Sequence, residues 1–289
     1  MITCKSYFSG CGGMDLGIIQ SGINIVESFE LDKTCCESLR NNFSHKINEV
    51  DITKITVLDQ IKTDVMIGTF PCTRYSSIAD ISGTRVGDDL FLHFFRHIAL
   101  EEPEVFVVEN VPGMKKFPVV MEALTKIPGY YVRIECPVNA NMWLPQERKR
   151  LMLFGSKRPM KVEYPQKCSR PQLKDILEND PQINIPNYVK RRLEGHYRDK
   201  PIISNANRGD IAPTCVAHYS KDISTRLVEI DGVVRPYTTK EYARLQGFPD
   251  DFFLSGSNSD KYRQIGNAVP PPMGYWVGEQ IKRYFNRKE

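Results

Sequence analysis

The sequence predicts an α/β protein: a doubly wound, mostly parallel sheet with a second, smaller and more irregular domain. Three observations carry this. Strand-like and helix-like periodicities alternate through the first half of the chain, the pattern that crossover helices on a parallel sheet require. The chain then loosens at Lys157, with Pro159, Pro165 and Pro171 six residues apart, and this marks a linker into a smaller unit running to about Arg263. Finally, an amphipathic stretch from Met273 to Phe285 follows Pro270-Pro271-Pro272 and is suited to dock back on the first domain.

The elements follow in order. Ile2 to Phe8 alternates as a strand does, a glycine-rich turn succeeds it, and Met14 to Gly22 reads as a helix closed by its glycine. Asn24 to Phe29 is strand-like and Lys33 to Phe43 helical. Asp64 to Gly68 is a short buried strand, Asp89 to Glu101 a helix, and Val105 to Val108 a continuous run of the kind that parallel sheets bury on both faces. Tyr130 to Cys136 and Arg150 to Phe154 supply two further strands.

With 289 residues, 41% of them hydrophobic and 26% charged, and a mean hydropathy of -0.37, the composition excludes a disordered or collagenous chain. No apolar run approaches 18 residues, and Met1 to Lys5 opens directly into a strand, so neither a membrane span nor a signal peptide is expected. The expected location is cytoplasmic, at the nucleoid if the source is bacterial. Eight cysteines, Cys4, Cys11, Cys35, Cys36, Cys72, Cys136, Cys168 and Cys215, show no C-x-x-C and fit free thiols in a reducing compartment. His93 and His97 share a helix face, but Leu90, Phe91, Phe94, Phe95 and Ile98 make its apolar stripe and no third ligand is evident, so no metal is expected. The net charge of +4 is uneven: Lys157 to Asp210 holds 12 Lys and Arg against 7 Asp and Glu. On charge alone this is a solvated surface or a contact for a polyanion.

Ligands of open α/β sheets bind beyond the carboxyl ends of the strands. The first such loop, Phe8-Ser9-Gly10-Cys11-Gly12-Gly13, turns tightly but fails the dinucleotide fingerprint, since Asp15 replaces its third glycine. Glu30 stands 20 residues after Gly10, where a carboxylate accepts from ribose hydroxyls, and Asp51 can accept from an exocyclic amine. An adenosine-containing cofactor without a pyrophosphate suits this set. Cys72, behind Pro71 in Gly68-Thr69-Phe70-Pro71-Cys72, reads either as a small buried hydrophobe or as a nucleophile. Glu109, in Glu109-Asn110-Val111 on the adjoining strand end, is a helix cap, an ion-pair partner or, beside a nucleophile, a general acid. In Gln146-Glu147-Arg148-Lys149-Arg150, alternation puts Arg148 and Arg150 on one face, where two guanidiniums hold a phosphate or a base carbonyl if they are not simply solvated.

The order of these motifs resembles the C5-cytosine-specific DNA methyltransferase family. Arg244-Leu245-Gln246-Gly247-Phe248-Pro249-Asp250 and Gln264-Ile265-Gly266-Asn267-Ala268-Val269-Pro270 look like that family's two C-terminal motifs, so the resemblance covers nearly the whole chain. It implies a Rossmann-like fold and S-adenosylmethionine over the glycine turn, at Phe8, Gly10, Gly12, Leu16, Glu30, Leu31, Asp51, Ile52, Pro71, Leu90, Asn267 and Ala268. It implies Cys72 as the nucleophile on C6 of a flipped-out cytosine, Glu109 as the acid at N3, and Arg148 and Arg150 steadying the base and the surroundings of Cys72. The stretch from Gln264 would return the chain to the catalytic domain, giving 1–156 with 264–289 as the catalytic unit and 157–263 as the target-recognition unit.

The sequence departs from the family pattern at Thr73, Tyr75 and Trp143, where glutamine, phenylalanine and glycine are usual. The variable part of the recognition unit spans Pro181 to Asp210 and interleaves Tyr188, His196 and Tyr197 with Lys190, Arg191, Arg192, Arg198 and Lys200, a pattern suited to phosphates. The expected partner is double-stranded DNA, with a cognate restriction endonuclease alongside and the protein a monomer. Two alternatives are a tRNA cytosine-5 methyltransferase acting on structured RNA, and a catalytically silent DNA-binding regulator.

Overall fold

The computed structural model describes residues 1–55, 61–71, 90–165, 170–181, 183–195 and 203–287. Its larger sheet takes β1 (Thr3–Tyr7), β2 (Asn24–Glu30), β3 (Lys46–Glu49), β4 (Val65–Gly68), β5 (Val105–Asn110), β6 (Tyr131–Asn139) and β7 (Lys149–Ser156) in the order β3-β2-β1-β4-β5-β7-β6. The first five run parallel, and β7 lies antiparallel to both of its neighbours. This is the doubly wound, mostly parallel sheet that the periodicity predicts.

Alternation along the strands builds a core on each face. In β5 Val105 and Val107 join the first core while Phe106 and Val108 join the second, which explains why that strand reads as an unbroken apolar run. Helix α2 (Lys33–Asn42) packs on β2 and β3; on the second face lie α3 (Leu90–Glu101) and α4 (Pro118–Thr125), represented there by Phe94, Ile98 and Leu124. Gly68 leaves room for the Phe94 ring, since a Cβ there would stand 2.7 Å from Phe94 Cδ1. His97 is buried against Tyr7, the ring centroids 5.1 Å apart.

On the first face α1 (Gly13–Gln20) packs against α8 (Pro271–Asn286). Their approach is so close that a Cβ on Gly17 would strike the backbone of Pro271 and Tyr275, and one on Gly278 would strike Ser21. The C-terminal stretch therefore docks on the first domain through glycines facing a partner backbone, as well as through Trp276, Val277 and Ile281.

In the larger unit two elements escaped the periodicity argument. β3 is an edge strand of sequence Lys-Ile-Asn-Glu with no fully buried residue, so it has no apolar face to read. The short helix α4 begins at Pro118, which also fits an ordinary turn. The linker reading at Lys157 needs correcting too: Met160 and Val162 are buried in the first core, and Trp276 Nε1 donates to Glu163 O at 2.9 Å.

The smaller unit has its own core, with Leu173, Ile176, Tyr219, Val228, Tyr242 and Leu245 among its members. Its sheet takes β8 (Ile203–Asn205), β9 (Leu227–Ile230) and β10 (Val233–Pro236) in the order β10-β9-β8. The β9–β10 hairpin turns at Asp231 and Gly232, with φ of 49° and 78°, the positive values that a two-residue hairpin of native twist demands. Among the described residues three α-helices complete it: α5 (Asn187–Glu194), α6 (Thr239–Gln246) and α7 (Asn258–Asn267). A capping box between Thr238 and Glu241 starts α6, and Glu241 also takes both arms of the buried Arg235 guanidinium at 2.8 and 2.7 Å. The expected boundary between Arg263 and Gln264 falls inside α7, whose Ile265 belongs to this smaller core.

Candidate active site

A cavity of about 480 Å³ opens at the carboxyl ends of β1, β2, β4 and β5, closed on one side by the segment joining α7 to α8. This is the rim on which open α/β sheets hold their ligands, and the size suits a small-molecule site. Of the residues expected to hold the cofactor, Phe8, Gly10, Glu30, Leu31, Asp51, Ile52, Pro71, Leu90, Asn267 and Ala268 line it, and so do Glu109 and Arg150.

The glycine turn is tied to the end of β2. Glu30 accepts from the backbone N–H groups of Gly10, Leu31 and Asp32 at 2.8, 2.9 and 2.8 Å. Burial pushes its carboxyl above the usual range, while these three N–H groups pull against the shift. Phe8 sits at φ 61°, a conformation that a bulky side chain adopts only when its surroundings impose it. Here its N–H donates to Phe29 O at 2.9 Å and its ring meets Phe70 edge-on at 6.2 Å. Asp51 caps a short turn, accepting from Thr53 N at 3.0 Å and Thr53 Oγ1 at 2.8 Å, and these bonds lower its pKa.

Gly12 and Leu16 are placed differently from expectation. Gly12 (φ 92°) is packed under Leu39 and Phe43, and Leu16 lies with Cys11, Phe248 and Ala268, so both support the turn from behind and neither lines the cavity. The sequence reading also missed Asp32 and Arg263. Both line the cavity, and they are joined at 2.8 Å across the gap between β2 and α7. Neither residue belongs to a motif, and 231 positions separate them in sequence.

At the other end of the cavity Arg150 Nε meets Glu109 Oε1 at 2.8 Å. Burial raises the Glu109 pKa, and the guanidiniums of Arg150 and Arg148 oppose it without reversing the direction. Asn110 donates to Phe70 O at 3.1 Å and accepts from Val111 N at 2.8 Å, fixing the loop that reaches the cavity at Pro71. Cys72, Thr73 and Tyr75 lie outside the described residues, as do Arg198 and Lys200.

Arg148 does not join Arg150 on the cavity wall. It is 1% exposed, and its guanidinium donates to Cys215 O, Gly266 O and Ala268 O at 2.9, 2.9 and 2.8 Å. Burial brings its pKa down to about 9, with the Arg150 charge adding to the effect. Its side chain is committed to backbone carbonyls of the returning segment, so it braces the cavity wall. Trp143 is likewise away from the rim, tilted against Trp276 at 6.0 Å.

In the smaller unit Lys190 and Arg191 are exposed on α5, whereas Arg192 reaches Asp222 at 2.6 Å and Ser224 at 2.5 Å. Arg192 therefore ties α5 down instead of offering its charge to solvent.

A cavity at the strand ends of a doubly wound sheet, with one buried carboxyl held by backbone N–H groups and another paired with a guanidinium, has the place and size of a small-molecule site. Residues 2–283 match the family described as C-5 cytosine-specific DNA methylase. The chain is 31% identical over 310 residues to the Type II methyltransferase M.NgoFVII of Neisseria gonorrhoeae, covering 92% of this chain and 82% of that protein. It is 31% identical over 302 residues to the Type II methyltransferase M.NlaX of Neisseria lactamica, covering 95% and 94%. Among solved structures, the S. pombe Dnmt2 methyltransferase superposes with a TM-score of 0.80 at 17% identity, covering 99% of each chain. The Entamoeba histolytica methyltransferase EhMeth gives 0.78 at 16%, again covering 99% of each; at these identities the likeness is one of fold. The chain belongs to the C-5 cytosine-specific DNA methylase family, and thus to the S-adenosylmethionine-dependent DNA (cytosine-5) methyltransferases.

Proposed function

We propose that the protein methylates C5 of a flipped-out cytosine in double-stranded DNA, through a covalent bond between Cys72 and C6, as the modification partner of a restriction endonuclease. The observation that carries this reading is the Glu109–Arg150 pair sharing one cavity with the Glu30-anchored glycine turn. Such a cavity brings a proton-bearing carboxyl and a nucleoside site within reach of one base.

The donor set fits S-adenosylmethionine. Glu30 presents a carboxylate held by backbone N–H groups for the ribose hydroxyls, Phe8 and Ile52 offer apolar surface to an adenine, and Asp51 an acceptor for its amino group. S-adenosylmethionine, when bound, supplies an electrophilic methyl on a sulfonium.

Cytosine C5 is too poor a nucleophile to take that methyl unaided. Addition of the Cys72 thiolate at C6 forms a C–S bond and moves the ring electrons towards N3, leaving an enamine-like C5. Glu109 donates its proton at N3, so the added electron pair is held without a buried anion, and its raised pKa suits that role. After C5 gains its methyl, the C5 proton is lost to solvent, the Cys72 thiolate is expelled and the N3 proton returns to Glu109, which restores the neutral aromatic base. Neither face of C5 or C6 is reachable in a stacked duplex, which is why the base must leave the helix. Arg150 holds Glu109 in place. Lys190 and Arg191 meet phosphates, and the smaller unit acts as the recognition domain beside the catalytic domain built on the large sheet.

The test is bisulfite sequencing of duplex DNA incubated with the protein and S-adenosylmethionine, alongside trapping on 5-fluorocytosine DNA. The expected outcome is 5-methylcytosine in a defined context and a covalent adduct that Cys72→Ser abolishes. Binding with no adduct marks a silent regulator, and preference for structured RNA in a competition assay marks a tRNA enzyme; either result overturns the reading.

A further inference from the structure

Behind the glycine turn lies a buried carboxylate that this chemistry does not use. Asp15, in the first turn of α1, is fully buried. Its Oδ1 accepts from Ser6 Oγ at 2.5 Å and its Oδ2 from Ser28 Oγ at 2.7 Å. Ser9 Oγ stands 2.9 Å from Ser6 Oγ and His45 Nε2 stands 2.8 Å from Ser28 Oγ. Among the described residues its partners are hydroxyls, with no lysine or arginine acting on it.

The direction of the links at Ser6 and Ser28 follows from proton counting. A serine hydroxyl has one proton to give. With Ser6 and Ser28 giving theirs to the carboxylate, Ser6 Oγ is left to accept from Ser9, and Ser28 Oγ to accept from the Nε2–H of His45. Burial brings the pKa of His45 down to about 4, so its ring is neutral and the tautomer with the proton on Nε2 completes the chain. The links from Ser6, Ser28 and His45 therefore point towards Asp15, and Ser9 Oγ has both Ser6 Oγ at 2.9 Å and Ser6 O at 3.2 Å to donate to.

A buried carboxylate without a counter-ion is costly, and where a protein keeps such a group the surroundings are commonly functional. Here Ser9 leads directly into Gly10, whose N–H is held by Glu30, and both Ser9 and Gly10 line the cavity. We propose that Asp15 is a positioning residue for the cofactor turn: its carboxylate orients Ser9, and through it the Gly10–Glu30 pair, in the geometry that binds the methyl donor. This rests on the cofactor reading given above. Asparagine has nearly the same shape but brings an amide N–H2 to a hydroxyl that is already donating, so one link must reverse or break.

The experiment compares the wild type, Asp15→Asn and Ser28→Ala. Calorimetry measures the binding of S-adenosylmethionine and S-adenosylhomocysteine, turnover is measured at saturating cofactor, and melting without ligand is followed in parallel. The expected result is a dissociation constant raised roughly 10-fold in Asp15→Asn and roughly 3-fold in Ser28→Ala. With it come an unchanged kcat and a ligand-free melting temperature that is not lowered in Asp15→Asn. Unchanged affinity in both variants overturns the proposal, and so does loss of affinity matched by falling kcat and melting temperature, which would mark a merely structural residue. If Asp15→Asn does not fold, Ser28→Ala, which leaves the carboxylate in place, decides alone. A wild type that binds neither compound removes the cofactor reading itself, whereas a wild type that binds, with variants equal to it, removes only the role of Asp15.

Discussion

Glu30 and Glu109 occupy corresponding places, each at or beside the carboxyl end of a parallel strand and each on the wall of one cavity, yet they are held by different kinds of partner. Three backbone N–H groups grip Glu30, whereas Glu109 answers to a side-chain cation, Arg150. Burial raises both pKa values. The backbone groups cannot move away or lose a proton, so they fix one carboxylate as a permanent acceptor. A guanidinium on a side chain can follow a carboxyl as its charge changes. In the proposed reaction the same residue type thus serves as a fixed anchor at one end and a proton carrier at the other.

That contrast can be broken in several ways. The largest effect is expected from Glu109→Gln, which should lower turnover roughly 10²-fold or more while calorimetry shows cofactor binding intact; equal loss of both refutes the division of labour. Arg148→Met should destabilise the protein by about 2–3 kcal/mol in urea unfolding, because three buried carbonyls lose their donor. Glu30→Gln should raise the cofactor dissociation constant roughly 10-fold and leave kcat at saturation unchanged.

The pH profiles should run in opposite directions. Cofactor affinity needs Glu30 ionised, so it should fall as pH drops through a midpoint above the ordinary glutamate range. Turnover needs Glu109 protonated, so it should fall as pH rises through its own raised midpoint, and Glu109→Gln should erase that limb. Two limbs of the same sign would end the comparison. Smallest is the effect of Lys190→Ala with Arg191→Ala, which should reduce the slope of log affinity against log salt by about 0.9 per charge removed.

The parts of this site legible in the sequence are those whose spacing is local. The turn from Phe8 to Gly13, Glu30 at the end of the next strand, and Glu109 at the end of an apolar run all follow from periodicity and strand ends. What escaped depends on residues far apart. Alternation correctly gives Arg148 and Arg150 a shared face, but only the returning segment, 118 and 120 residues away at Gly266 and Ala268, decides that Arg148 is consumed by carbonyls. Arg192 likewise looks free until Asp222, 30 residues on, arrives to bind it. Gly12 and Leu16 belong to the turn yet face away from its ligand side, a distinction that needs the path of the backbone.

The wall at Asn267 and Ala268 and the helix behind it are contributed after the rest of the large sheet has been made. On a ribosome, a chain that has emerged only as far as β7 owns both glutamates and no closed pocket. Closure of the cavity is thereby postponed until the segment between α7 and α8 has been made.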